Sequence, residues 1–370
     1  MIRLSAYLQN NFGDDLMVKI LLDRYPNITF YSNCPIPANN YNLSNPRFLH
    51  QEKIYRKYGR INRLWNLVPF LPKNRVYQNI TKKNLARCRC SVYIGGSIYM
   101  DIPHRTVEYQ FNREINRINP APLFVIGANF GPTKRPEFHS AFSEYFSRPD
   151  VNVVFRDVKS FESFPKSSSI NYAPDVVFNL NTASYEREIP ENTVLISVID
   201  MSIRNELKEY TELYENAIVE LCQDCIQKNS RPVLVSFCKS EQDEAAIARI
   251  LSKLPHDRRS KVDTLFYSNN VDEFLLAFAR CSYVIATRFH AMILSVKMKK
   301  KFFAISYSNK ISCVLDDLSC KLYCSISDLS NISLSTDLCG LPDSEIVDDY
   351  IHTAEQQFHP LDAFLKTTDC

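Results

Sequence analysis

The segment Thr287-Arg288-Phe289-His290 carries the sharpest chemical pattern in the chain. It follows an apolar run, Tyr283 to Ala286, and opens a helical pattern from His290 to Met298, so its polar side chains stand where a strand hands over to a helix. Backbone N–H groups at a helix start lack intrahelical partners, and the helix dipole favours negative charge there. Arg288 can fork onto a carboxylate or phosphate, and the imidazole of His290 can exchange a proton near neutral pH. One strand further on, Ser306-Tyr307-Ser308-Asn309-Lys310 brings a hydroxyl and an ammonium to a neighbouring strand end. Two cations and a histidine at one mouth suit a small anionic ligand. The plainer alternative satisfies His290 with a core carbonyl and places Arg288 in a surface ion pair.

Weaker signals stand after other strands. Gly95-Gly96-Ser97, with Asp101 beyond, and Gly127 to Pro132 hold four of the chain's seven glycines, which points to close backbone approach at two strand ends. Arg156-Asp157 and Ala173-Pro174-Asp175 flank further turns, although a pair such as Arg156-Asp157 commonly caps the next helix. Cys222 and Cys225 form a CxxC inside an amphipathic helix without a second pair at zinc-finger spacing, so they read as buried structural cysteines, and no metal site is expected. His50, His104, His139 and His256 lack partners at ligand spacing. The chain has no Walker A loop, Rossmann glycine fingerprint, GxSxG elbow or HExxH.

Apolar runs alternating with amphipathic stretches must position these residues, and that alternation predicts an α/β fold with parallel sheets. Strands are expected at Ile28–Ser32, Ser91–Ile94, Leu123–Gly127, Val151–Arg156 and Asp175–Asn179 in a first half. Helices at Asp15–Tyr25, Arg105–Ile118 and Pro136–Ser147 lie between them. The polar stretch Asn181 to Asn192 marks a boundary. Beyond it a cleaner rhythm predicts strands at Thr193–Val198, Pro232–Ser236, Lys261–Tyr267, Tyr283–Ala286 and Phe302–Ser306. Helices are expected at Thr211–Lys228, Ser240–Leu254, Val271–Arg280 and His290–Met298. The expected domains are therefore 1–185, 190–345 and a helical tail at 346–370.

Net charge is +3, but residues 47–89 hold twelve Lys or Arg against one acid, Glu52, a local +11 that leaves −8 elsewhere. The same stretch contains Leu64 to Pro72 and the only tryptophan, Trp65. Basic charge beside an apolar wedge suits an anionic inner-membrane surface or a lipid-linked phosphate. A solvated basic helix docked on its own domain is the plainer reading. Nucleic acid fits less well, because the aromatic residues cluster instead of interleaving with the bases. No apolar stretch reaches the roughly 20 residues of a spanning helix, and the N-terminus lacks an export h-region. Twelve cysteines are too few for a disulfide scaffold. These features predict a cytoplasmic protein, with membrane contact through 47–89.

Asn11-Phe12-Gly13-Asp14-Asp15, Gly95-Gly96-Ser97 with Asp101, Gly127 to Pro132, Phe155-Arg156-Asp157 with Ser160, Ala173-Pro174-Asp175, and Thr287 to His290 with Ser306, Tyr307 and Lys310 together resemble the polysaccharide pyruvyl transferases. The resemblance spans roughly residues 8 to 318 and departs at Ser97, where a third glycine is frequent. It implies a GT-B-like pair of Rossmann-like domains with an active site in the cleft between them. Phosphoenolpyruvate would be co-substrate, with no cofactor. A sugar, in a polyprenyl diphosphate-linked precursor, would be acceptor, and a cyclic pyruvate ketal and phosphate would be products. Under this resemblance His290 is the acid, and Asp101 or Asp14 takes the hydroxyl proton. Arg288, Lys310 and Arg156 hold the donor's anions, and Asn11, Gly13, Gly95, Gly96, Ser97, Ser306 and Tyr307 line the substrates. Two rivals remain at this point: a nucleotide-sugar glycosyltransferase of the same architecture, and a non-catalytic scaffold recruited to membranes by 47–89.

Overall fold

Short apolar segments of three to six residues assemble into two all-parallel sheets in a computed structural model of the chain. The structure describes residues 1–7, 9–32, 48–50, 81–185 and 191–368. Contacts divide it into two units, one of residues 1–9, 14–176 and 353–370, the other of residues 10–13 and 177–352. The break at 176/177 precedes the expected boundary. The expected tail at 346–370 is not a unit of its own, because its later part belongs with the first. Residues 51–80, most of the basic segment, lie outside the described residues. Among the described residues no helix is long and apolar enough to cross a membrane.

The first sheet has strands β1 (Ile2–Ala6), β2 (Phe30–Ser32), β3 (Phe48–His50), β4 (Ser91–Ile94), β5 (Leu123–Ala128), β6 (Val151–Phe155) and β7 (Ile170–Tyr172). Their order is β3-β2-β1-β4-β5-β6-β7. Parallel sheets are covered on both faces, and β4 and β5 are accordingly buried at every residue. Ala6 pairs with Ile94 and Ile94 with Ile126, so the turns after β1, β4 and β5 emerge side by side. The helix Pro136–Phe146 begins with proline, which suits a first turn. It buries Phe138, Phe142, Tyr145 and Phe146 on one stripe. There they meet Tyr99, Phe155 and Phe164 in an aromatic core.

The second sheet has β8 (Thr193–Val198), β9 (Arg231–Ser236), β10 (Asp263–Phe266), β11 (Tyr283–Ala286), β12 (Lys301–Ser306) and β13 (Tyr323–Ser325). It is ordered β10-β9-β8-β11-β12-β13. Helix Thr211–Gln227 buries Tyr214, Ile218, Leu221, Cys222 and Cys225 along one face. The CxxC thiols are therefore core groups, and burial pushes Cys225 up to about 12. In both sheets the order reverses once, between β1 and β4 and between β8 and β11. Ligands of such folds bind beyond the carboxyl ends of the strands at that point.

Two elements differ from expectation, one for a local reason and one for a distant one. Asp175–Asn179 was expected as a strand, but Val176–Asn179 is a 3-10 turn in which Val176, Val177 and Phe178 are buried without ladder pairing. β1 was not expected, since Ile2-Arg3-Leu4-Ser5-Ala6 mixes polar and apolar residues. It is nevertheless a central strand, with Ser5 buried and the Arg3 guanidinium donating to the Asn116 carbonyl at 3.0 Å.

Candidate functional site

In the second unit the chain leaves β11 at Ala286 and is fixed at once by a serine from the adjacent strand. Ser197 Oγ accepts the N–H groups of Thr287 and Arg288 at 2.8 and 3.0 Å, and the Tyr214 hydroxyl donates to Thr287 Oγ1 at 3.1 Å. Arg288 then caps the helix Phe289–Lys297 in extended backbone geometry. Its guanidinium is buried. Nε donates to Asp243 Oδ2 at 3.1 Å, Nη2 donates to Asp243 Oδ1, and Nη1 donates to Glu241 Oε2 at 2.7 Å. Burial alone would lower the Arg288 pKa, but Asp243 and Glu241 override it and raise it. Glu241, which burial would raise, is held below the ordinary carboxylate range by Arg288 and Arg204. The ion pair that the plainer alternative set at the surface is thus a buried one.

His290 sits in the first turn of that helix, with its ring against the backbone of Gly13. A Cβ at position 13 would fall 1.8 Å from His290 Nδ1, so the close approach itself requires glycine. Gly13 is reached through an Asn11 turn, in which Asn11 Oδ1 accepts the Gly13 N–H at 3.1 Å. The intervening Phe12 is wholly buried among Phe237, Tyr267 and Phe274, at ring-centroid distances of 5.2, 5.3 and 4.9 Å. Its N–H donates to the Phe237 carbonyl at 3.0 Å, and Asn11 bridges to Cys238. One aromatic plug thereby pins the Asn11–Gly13 turn to the end of β9 and onto His290. Ser306 Oγ donates to the Ser308 carbonyl at 2.9 Å and shapes the turn after β12. The Tyr307 ring lies 5.5 Å from the Arg204 guanidinium, and Lys310 is half-buried at the start of helix Asn309–Asp317.

In the first unit a second cluster forms beyond β4, β5 and β6. Gly96 lies flat against the Arg156 guanidinium, where a Cβ would be 2.5 Å from its Cζ and both terminal nitrogens. Arg156 is 6% exposed. It donates to Asp175 Oδ2 and to Asn129 Oδ1, each at 2.9 Å, and Ser97 Oγ donates to the same Asn129 oxygen at 3.3 Å. Asp14 Oδ1 lies 4.0 Å from where a Cβ on Gly95 would stand. Asp157 is the cap of helix Val158–Glu162, accepting from the N–H and hydroxyl of Ser160 at 2.8 and 2.7 Å.

Asp101 does not fit the role of a base. Its carboxylate is 3% exposed, takes both Nε and Nη2 of Arg135, and also accepts the N–H groups of Lys134 and Arg135. The Arg135 hydrogen bonds outweigh burial and hold its pKa below the ordinary range. Asp101 braces the loop that follows Gly131-Pro132.

Four residues central to these clusters carried no sequence signal: Arg204, Glu241, Asp243 and Gln357. Asp243 lies within the helix expected from Ser240. The observed helix begins at Asp243, and its carboxylate accepts the N–H groups of Phe237 and Cys238 at 3.1 and 3.0 Å. Wholly buried Gln357 accepts the Gly127 N–H at 2.8 Å. Its amide donates to the Ala173 and Pro174 carbonyls at 2.6 and 3.0 Å, joining the end of β5 to the turn that delivers Asp175. Among the described residues no group of three or more His, Cys, Asp or Glu is placed to hold a metal.

The family model for polysaccharide pyruvyl transferases matches residues 11–309. The amylovoran biosynthesis protein AmsJ of Erwinia amylovora is 22% identical over 248 residues, covering 61% of this chain and 59% of that protein. The chain thus spans less than two thirds of the length of this curated relative. Among solved structures, trehalose-6-phosphate synthase OtsA aligns at TM-score 0.50 and 10% identity over 99% of this chain and 98% of its own. The E. coli ADP-heptose LPS heptosyltransferase II aligns at TM-score 0.44 and 11% identity over 96% and 99%. At such identity the OtsA likeness shows the fold alone: two Rossmann-like units of the GT-B type.

Proposed function

The chain belongs to the polysaccharide pyruvyl transferase family, and from that premise we propose that it moves a pyruvyl group from phosphoenolpyruvate onto two hydroxyls of a sugar in a surface polysaccharide precursor. The product is a cyclic ketal, and inorganic phosphate is released. The observation that carries this reading is the packing of Gly13 on His290 two residues beyond Arg288. Two distant matched segments thereby meet at the switch point of the second sheet. Phosphoenolpyruvate presents a phosphate and a carboxylate a few ångströms apart, and cations beside an imidazole match that pair.

Imidazolium His290 protonates the C3 methylene, which makes C2 an oxocarbenium-like electrophile. One sugar hydroxyl adds to C2 and gives its proton to a general base, a role for which the family resemblance offers Asp14. The C2–O bond to phosphate then breaks. The second hydroxyl closes the ring, so that of the two hydroxyl protons one replaces that taken from His290 and the other leaves with phosphate. Arg288 and Lys310 face the donor in the second unit. Arg156, held by Asp175 and Asn129, orders the turns at the strand ends of the first.

The acceptor is a sugar on a polyprenyl diphosphate carrier, and residues 47–89 draw the protein to the anionic membrane face. The purified protein, given phosphoenolpyruvate and lipid-linked saccharides, should release phosphate and add the mass of one pyruvyl ketal. Stabilisation by nucleotide sugars, with none by phosphoenolpyruvate, would instead mark a glycosyltransferase, because a native-state ligand raises the melting temperature.

A further inference from the structure

Arg288 and Arg204 each direct one terminal nitrogen onto the same atom, Oε2 of Glu241. Asp243 occupies the other edge of Arg288. These two cations and two anions make a neutral quartet beyond the ends of β8, β9 and β11, but the acids are held very differently. Asp243 is wholly buried and also satisfies the N–H groups of Phe237 and Cys238, so its departure would orphan two buried donors. Glu241 ends a short 3-10 turn, Lys239–Glu241, and its side chain is 32% exposed. The hydrogen bonds of its carboxylate go to the two guanidinium groups.

Two guanidinium groups converging on one carboxylate oxygen have the geometry that holds an oxygen of a phosphate or carboxylate ligand. We propose that Glu241 is an internal counter-ion standing where an oxyanion of the donor binds, and that the donor displaces it from Arg204 and Arg288. This deepens the pyruvyl-transfer reading and rests on it. Charge balance favours exchange over addition. A further anion on the neutral quartet would leave uncompensated negative charge in a largely buried setting, whereas a monoanionic group taking the place of Glu241 keeps the sum at zero. The Tyr307 ring beside Arg204 fixes that guanidinium for either occupant. Arg204 is thus a donor-binding residue, and Glu241 sets how tightly the empty site competes with the ligand.

Calorimetric titration of the full chain with inorganic phosphate, pyruvate and phosphoenolpyruvate tests the exchange. Glu241→Gln should bind phosphate or pyruvate about tenfold tighter than wild type, and the arm that gains identifies which donor group takes the position. Arg204→Gln should weaken the same arm about tenfold and cancel the gain when the two are combined. A folded Glu241→Gln protein that binds all three ligands no tighter than wild type overturns the proposal. Should that variant not fold, Glu241→Asp, with its shorter reach, is read in the same way. Failure of the underlying reading shows elsewhere, as wild-type protein that releases no phosphate from phosphoenolpyruvate with any acceptor while its phosphate affinity still responds to position 241.

Discussion

Arg156 and Arg288 hold corresponding places, each within two residues of the end of a buried parallel strand, yet their surroundings differ in kind. Arg156 donates to Asp175 and Asn129, both buried, and Gly96 covers its plane. Arg288 has one buried acid, Asp243, and one partly exposed acid shared with a second arginine. A guanidinium closed in by buried partners fixes backbone, whereas one with a removable partner can take a ligand. Substitutions in the first cluster should therefore cost stability, and those in the second should cost turnover.

The largest effect tests the second cluster. His290→Gln keeps a hydrogen-bonding side chain but removes the acid, and should slow phosphate release by about 10²- to 10⁴-fold with little change in melting temperature. Phosphate release near the wild-type rate would remove His290 from the chemistry. In the first cluster, Arg156→Leu takes the guanidinium away from buried Asp175 and should cost about 3–5 kcal/mol in denaturant unfolding. A loss under about 1 kcal/mol, within the range of exposed pairs, would place Arg156 with the exchangeable arginines and dissolve the contrast. Gln357→Leu strips partners from Gly127, Ala173 and Pro174, and should cost on the order of 3 kcal/mol, at about 1–3 per orphaned group. Gln357→Glu should do no better. It keeps an acceptor for Gly127 but turns a second acceptor onto the Ala173 and Pro174 carbonyls. A stable, fully active Glu variant would contradict that geometry.

Strands that are apolar throughout were legible to the residue: Ser91–Ile94, Thr193–Val198 and Tyr283–Ala286 begin and end where the pattern places them. β1 was not legible, because its Arg3 is satisfied by groups far along the chain and its Ser5 is buried, and nothing local announces that. The same limit applies to the site. Asn11, Gly13, Arg288 and His290 stand at recognisable turns, and the structure brings them together. Glu241 and Asp243 look like ordinary acids at a helix start, and Gln357 like one more polar residue in a helical tail. Their roles exist only once the turn after β9 faces the end of β11, or residues 353–370 return to the first unit. Asp101 erred in the other direction. A carboxylate after a glycine turn suggests a base, and only the fold supplies Arg135 to engage it.

The smallest effect concerns that pair and carries a sign. Arg135 lowers the folded pKa of Asp101, so the stabilisation is fully present above the unfolded value of about 3.9 and is lost as pH falls through the lower folded value. Arg135 is partly exposed, so solvent screens the pair and its contribution is small. Melting temperatures of wild type and Asp101→Asn should differ most near neutral pH and converge as the buffer is taken below about 4. Other carboxylates held low, such as Asp150 with Arg148, titrate alike in both proteins, so the difference between the curves isolates position 101. A gap that persists unchanged into acid would mean that Asp101 acts through shape alone. It would then lose its place among the fixed ion pairs of the first unit.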